Sequence, residues 1–349
     1  MIDRRNWKDV KEHLEYREAV HQDAPRTQET RWSMLKLMLI WADDTSLTRA
    51  PSIRPAYPQY LARQKRDGAH LSHGTQESAI STARTFFGWA VAAHPRRYRR
   101  ITQLWLDAMR PVKQKSGVKE RKAYSLEDVL ALMAVADDRL VMQRAKAATA
   151  MMFLSAIRVG AFVTLPIRAV DLAHRRIRQW TELGVRTKFS KSATTFMLDI
   201  PDLVDVVRRW DDRVRARLDP DDMWYANVEG AYQRHVVPAQ RETTQVTSVY
   251  QHLRELCEAA GVTYMSPHKL RHGFTIHALE HARTPADWKA ISQNLMHANL
   301  STTDEIYGIL KDDEVGSRIA RLGGSNGGGS GAMSKEEILA QIQALAAQL

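Results

Sequence analysis

A chain of 349 residues exceeds one ordinary hydrophobic core and points to two folded domains plus tails. Its 44% hydrophobic and 26% charged residues fit a soluble globular protein, and no apolar run approaches the roughly 18 residues of a membrane span. Net charge is +11, all of it N-terminal: residues 1 to 122 hold 24 Lys and Arg against 13 Asp and Glu, while 123 to 349 hold 27 of each. That asymmetry argues against a merely soluble basic surface and implies a polyanion partner, nucleic acid, held chiefly by the first third of the chain. Met1 to Arg17 lacks the apolar core of a signal peptide, so a cytoplasmic setting is expected, nucleoid-associated when on DNA. Cys257 is the single cysteine, and its apolar helical neighbours Leu253 and Leu256 mark it as a buried, inert thiol.

Residues 1–110 read as a helical DNA-binding domain with no convincing strand alternation. Apolar spacing predicts helices over Trp7 to Val20 and Thr27 to Trp41, the second with a broad face including Trp32, Leu35 and Leu39. After Pro51, Pro55 and Pro58 come a short helix near Gln59 to Lys65 and, beyond Asp67-Gly68, a longer one over Thr75 to Ala93 before Pro95. Four or five such helices can lie in a DNA groove while a basic edge holds phosphates. The basic residues are Arg96, Arg97, Arg99 and Arg100, followed by Arg110, Lys113, Lys115, Lys119, Arg121 and Lys122. Residues 111–122 carry Pro111, Ser116 and Gly117 and read as a basic interdomain linker, able to follow the duplex backbone so that two domains clamp it.

The second domain, 123–322, opens on Ser125-Leu-Glu-Asp128, the pattern of a capping box, with helices to about Ile157. Strand signals over Leu183 to Lys188 and Thr195 to Ile200 flank Phe189 to Thr194 and predict a hairpin. Helices follow over Asp202 to Arg217, Ser248 to Ala260, Pro267 to His281, Ala286 to Met296 and Thr303 to about Arg321. The expected class is mainly α with a small antiparallel β-sheet. Residues 323–333 form a Gly-rich tether, its nine residues to Gly331 spanning about 15 to 18 Å as a random coil. In 334–349, Ile338, Ile342, Leu345 and Leu349 make one apolar stripe on a short helix, which needs a docking surface on its own body or a neighbouring protomer to be ordered. So glycine-rich a junction also fits an engineered fusion.

The chemistry concentrates late in the chain. Ser266-Pro-His-Lys-Leu-Arg-His272 reads as a helix start, Ser266 the cap and Pro267 the first helical residue, with His268 and Arg271 one turn apart at its positive end. Downstream, Asn294-Leu-Met-His297 precedes Tyr307 by ten residues. Together these segments resemble the second half of the tyrosine recombinase (phage integrase) signature, a His-x-x-Arg pair, then His or Trp, then a nucleophilic Tyr. Upstream, Phe153-Leu-Ser-Ala-Ile-Arg158-Val-Gly160 has the form of that family's first arginine box, and Arg186-Thr-Lys188-Phe-Ser-Lys191 supplies its hairpin lysine, with the register to Pro201 favouring Lys188 over Lys191. The resemblance runs from about residue 27 to 320. Two departures stand out: Ala161 occupies the usual acidic position after Arg158, and Tyr307 lies one residue further from His297 than usual.

The resemblance implies a recombinase or integrase with Arg158, Lys188, His268, Arg271, His297 and Tyr307 as catalytic residues. Two arginines and His297 would hold the non-bridging oxygens, Lys188 would protonate the leaving 5′-oxygen, His268 would move a proton or orient an oxygen, and Tyr307 would store the bond. Neither metal nor cofactor is called for, and a zinc site on His268 and His272 lacks a third ligand at suitable spacing. The partners implied are double-stranded DNA at a specific site and further copies of the chain, a dimer on one site and a tetramer on two, with no membrane. The rival readings are a type IB topoisomerase and a non-catalytic DNA-binding protein.

Overall fold

The computed structural model describes residues 3–66, 68–112, 122–229, 235–239, 242–296 and 312–323. By internal contacts the chain divides into two units, Met1–Lys119 and Glu120–Leu349, each with its own hydrophobic core. Both are mainly helical with short antiparallel sheets.

In the first unit the Asp3 carboxylate accepts the N–H groups of Arg5 and Asn6 and so caps α1 (Arg4–His21). Pro25 opens α2 (Pro25–Ala42), where a missing N–H costs nothing. Next come α3 (Tyr57–Arg63) and a ladder of β1 (Lys65–Arg66) with β2 (Ala69–His70). Two-residue strands are too short to show alternation, which is why the sequence predicts helices alone here. The hydroxyls of Ser72 and Thr102 cap α4 (His73–Ala93) and α5 (Gln103–Ala108). Apolar stripes of α1, α2 and α4 meet over Val10, Leu35, Leu39, Phe86 and Phe87.

The second unit begins with the expected capping box: the Ser125 hydroxyl accepts the Asp128 N–H, and the Asp128 carboxylate accepts that of Ser125, at the start of α6 (Leu126–Met133). Then follow α7 (Leu140–Ser155), α8 (Val159–Phe162), β3 (Val170–Asp171), β4 (Arg176–Gln179), β5 (Ala193–Phe196) and α9 (Pro201–Arg215). The ladder of β6 (Asn227–Glu229) with β7 (His235–Val237) leads to α10 (Glu242–Ala260), α11 (His268–His281), α12 (Pro285–Asn294) and α13 (Asp312–Arg321). Helix α7 is buried nearly all round and packs against α6, α9, α10 and α11, as a central core helix does. Cys257, on α10, is fully buried.

The three-stranded sheet has the order β3-β4-β5, all antiparallel, with Arg176 opposite Phe196 and Gln179 opposite Ala193. The hairpin exists, but its first strand is Arg176–Gln179 rather than Leu183 to Lys188, and its second ends at Phe196. Leu183 closes a turn of 3-10 helix that Gly184 terminates at φ +80°, a left-handed conformation no strand accommodates. A second such turn, Lys188–Ser190, places Lys188 in the long connection between β4 and β5. Residues 303–311 of the last predicted catalytic-domain helix, the tether beyond Gly323 and the segment 334–349 lie outside the described residues. No helix among the described residues is long and apolar enough to cross a membrane.

Candidate active site

The site is assembled where α7 ends. Ala156 takes a left-handed conformation (φ 55°, ψ 20°), which costs a non-glycine residue about 1 kcal/mol and turns the chain out of the helix. Arg158 follows in extended conformation (φ −75°, ψ 141°) at the head of α8, its side chain partly exposed. The turn is held from the far side by Arg271 of α11, only 6% exposed. Its guanidinium donates through Nη1 to the Ala156 carbonyl and through Nη2 to the Leu295 carbonyl. Those acceptors terminate α7 and α12, where carbonyls and helix dipoles favour a cation.

Two contacts set the height of α11. A Cβ at Gly273 would lie 2.1 Å from the Tyr124 carbonyl oxygen and 2.9 Å from the Phe153 ring, so the helix sits directly on that backbone. The Tyr124 hydroxyl donates to the Met265 carbonyl (2.6 Å) and accepts its N–H (2.7 Å), fixing the approach to the helix. The helix begins at His268 rather than Pro267, because its first bonds, Lys269 N–H to Ser266 and Leu270 N–H to Pro267, span three residues and wind the entry tighter than an α-turn.

Arg158 and Arg271 are electrostatic neighbours. Burial lowers the pKa of both, and Arg158 adds to the depression of Arg271, which falls to about 10. Neither has a carboxylate partner among the described residues, whereas Arg97, Arg175, Arg176, Arg215 and Arg318 all do. His268, at the same helix end, is held below its ordinary pKa by partial burial of its ring and then by the nearby charges of His272, Arg271, Arg158 and Lys269. Its ring meets that of His272 edge-on at 4.8 Å. The one group of three potential metal ligands among the described residues is Asp9, Glu12 and His94 in the first unit. There Asp9 already accepts from Arg97 and Tyr98.

Of the six predicted catalytic residues, Arg158, His268 and Arg271 are thus brought together. Lys188 and its alternative Lys191 are both exposed in the connection between β4 and β5. His297 and Tyr307 lie outside the described residues. Among the predicted DNA-binding residues, Arg96, Arg99, Arg100 and Lys122 are exposed, while Arg97 is committed to Asp9 at 2.5 Å; Lys113, Lys115, Lys119 and Arg121 lie outside the described residues.

Two buried residues of α12 went unassigned in the sequence. Asn294, 1% exposed, accepts the Phe196 N–H on Oδ1 (2.7 Å) and donates from Nδ2 to the Phe196 carbonyl (3.1 Å). Asp287 is fully buried; Oδ2 accepts the N–H groups of Arg283 and Thr284, and Oδ1 accepts from Arg318 (3.0 Å) and Arg321 (2.6 Å), fastening α13 to α12. The available signal was a polar residue in the apolar pattern of α12, beside Ala290, Ile291 and Leu295.

Comparison with known proteins adds an independent line. A family model described as the phage integrase family matches residues 124–314. Tyrosine recombinase XerC of Actinobacillus succinogenes is 31% identical over 166 residues, 47% of this chain and 48% of that protein. The matched stretches span less than half the length of such curated relatives. Among solved structures, a lambda integrase dimer bound to a COC′ core site gives a TM-score of 0.59 at 14% identity, covering 85% of this chain and 93% of that one. The Tn1549 transposon integrase in complex with transposon right end DNA gives 0.58 at 15% identity, covering 92% and 99%. At such identities the likeness establishes the fold.

Proposed function

This chain belongs to the phage integrase family, and on that premise we propose that it is a site-specific DNA recombinase that works through a covalent bond to Tyr307. The Tyr307 oxygen attacks a backbone phosphorus, the bond to the 5′-oxygen breaks, and the cut strand is held as a 3′-phosphotyrosine. The proton for the departing 5′-oxygen comes from Lys188. Attack by another 5′-hydroxyl reverses these steps and releases the tyrosine, so the bond energy is conserved and no nucleotide is consumed.

The observation that carries this reading is the pair Arg158 and Arg271, two guanidinium groups that repel one another and have no carboxylate partner among the described residues. Such a pair is costly alone and becomes favourable once an anion bridges it. Arg271 uses two of its five N–H donors on carbonyls, which fixes its plane and leaves the others for phosphate oxygens. These cations supply the charge stabilisation that attack on a phosphodiester requires, with His297 as a third donor. His268, whose pKa is held down at this cationic helix end, can accept the tyrosine proton or orient an oxygen. The exposed Arg96, Arg99 and Arg100 would hold phosphates of the same duplex, in a clamp that forms a dimer on one site and a tetramer on two.

Tyr307→Phe tests the reading. The variant should bind the chain's DNA site with native affinity and form no covalent adduct on a nicked version of it. An adduct of native yield would sink the assignment.

A further inference from the structure

We propose that Asn294 is a positioning residue that sets the β-hairpin, and with it the hairpin lysine, against the arginine pair; the inference rests on the recombinase reading of that lysine. Strand β5 lies at the edge of its sheet, paired on one side with β4. On the other side the Asn294 carboxamide pairs with Phe196 as another strand would, accepting its N–H and donating to its carbonyl. The polarity of these bonds also fixes which end of the carboxamide is oxygen. The same Nδ2 reaches toward the Ser155 carbonyl at 3.5 Å, at the last turn of α7.

One buried side chain therefore joins three segments that each lead to a proposed catalytic group. Ser155 lies three residues before Arg158, and Asn294 lies three before His297. Phe196 ends the strand that follows Lys188 and Lys191. The next residue, Leu295, gives its carbonyl to Arg271, so Asn294 transmits the arginine position to the hairpin through a single peptide. The hairpin strands are only four residues long, and just past Phe196 the Leu198 N–H donates to the Leu154 carbonyl of α7, so Asn294 adds to that anchor the tie from the base of the hairpin to α12. Losing the carboxamide should let the lysine wander while the arginines stay in place, since Arg271 keeps its two carbonyls.

The prediction separates from a general loss of structure by the leaving group. A 5′-bridging phosphorothiolate strand leaves as a thiolate and needs no proton, so it removes the lysine from the reaction. Asn294→Leu, and Asn294→Asp, which keeps the acceptor for Phe196 N–H, should both cleave ordinary DNA on the order of ten- to a hundredfold more slowly than the native chain. Both should cleave the sulfur-bridged strand within about threefold of native rate, because the misplaced group is no longer used. Lys188→Ala and Lys191→Ala run in parallel report on the reading itself. If a lysine variant is rescued by sulfur and the Asn294 variants stay slow, or if those variants are never slow, the positioning role is overturned alone. If no lysine variant is rescued, the lysine reading falls and this inference falls with it.

Discussion

Arg158 and Arg271 carry the same charge and should fail in different ways. Arg271 is buried and holds two helix-terminal carbonyls, so Arg271→Ala leaves those acceptors unpaired and should cost about 2 to 4 kcal/mol in urea unfolding. Arg158 is partly exposed, has no hydrogen-bonded acceptor among the described residues, and repels Arg271. Arg158→Ala should therefore leave stability within about 0.5 kcal/mol of native, or raise it slightly. The same change should slow cleavage by roughly a thousandfold, the scale of a lost donor at a developing charge. A strongly destabilised Arg158→Ala would show that the residue supports the fold instead. The order of the two arginines was legible in the chain, because each sits in a local motif. Their partners were not: Ala156 lies 115 residues before Arg271, and nothing near His268 announces that a carbonyl waits there. The absent acid at Ala161 likewise has a tertiary answer, since the turn at Ala156 that precedes Arg158 is fixed by Arg271.

Helices α1, α2, α4, α6 and α9 follow from apolar periodicity and from local starts, a side-chain cap at α1, α4 and α6 and a proline at α2 and α9. The sheet does not, for β4 is the short polar stretch Arg-Ile-Arg-Gln, whose alternation is indistinguishable from a loop, while the more apolar Leu183 to Lys188 is broken by Gly184. At this scale the decisive contact is the seat of α11. Ala favours a helix over Gly by about 1 kcal/mol, so on propensity alone Gly273→Ala would stabilise. The Tyr124 carbonyl 2.1 Å from the new methyl forces α11 to lift, and the net loss should be at least about 2 kcal/mol. Gly88 in α4 has nothing within 4 Å of its absent Cβ, so Gly88→Ala should gain about 0.5 to 1 kcal/mol. Thermal unfolding of both variants checks the pair, and equal shifts of the same sign would contradict the close packing at Gly273.

Across the molecule, charge divides as the sequence implies: the first unit holds the surplus, and among its exposed arginines Arg96, Arg99 and Arg100 have no acidic partner among the described residues, while Arg97 is paired with Asp9. Three of them should contribute to DNA binding through counterion release. Arg96→Ala, Arg99→Ala and Arg100→Ala should each flatten the slope of log affinity against log salt by about 0.9. Arg97→Ala should flatten it less, because its guanidinium already faces Asp9. Equal effects at all four positions would mean that the ion pair opens on DNA. Above all these stands the proposed covalent bond to Tyr307, and its most direct test is to look for it. The native chain is incubated with nicked duplexes, the covalent complex is digested with protease and nuclease, and the nucleotide-bearing peptide is sequenced by mass spectrometry. A 3′-phosphate-linked nucleotide on Tyr307 is the expected result. A nucleotide on any other residue, or one joined through its 5′-phosphate, would contradict it.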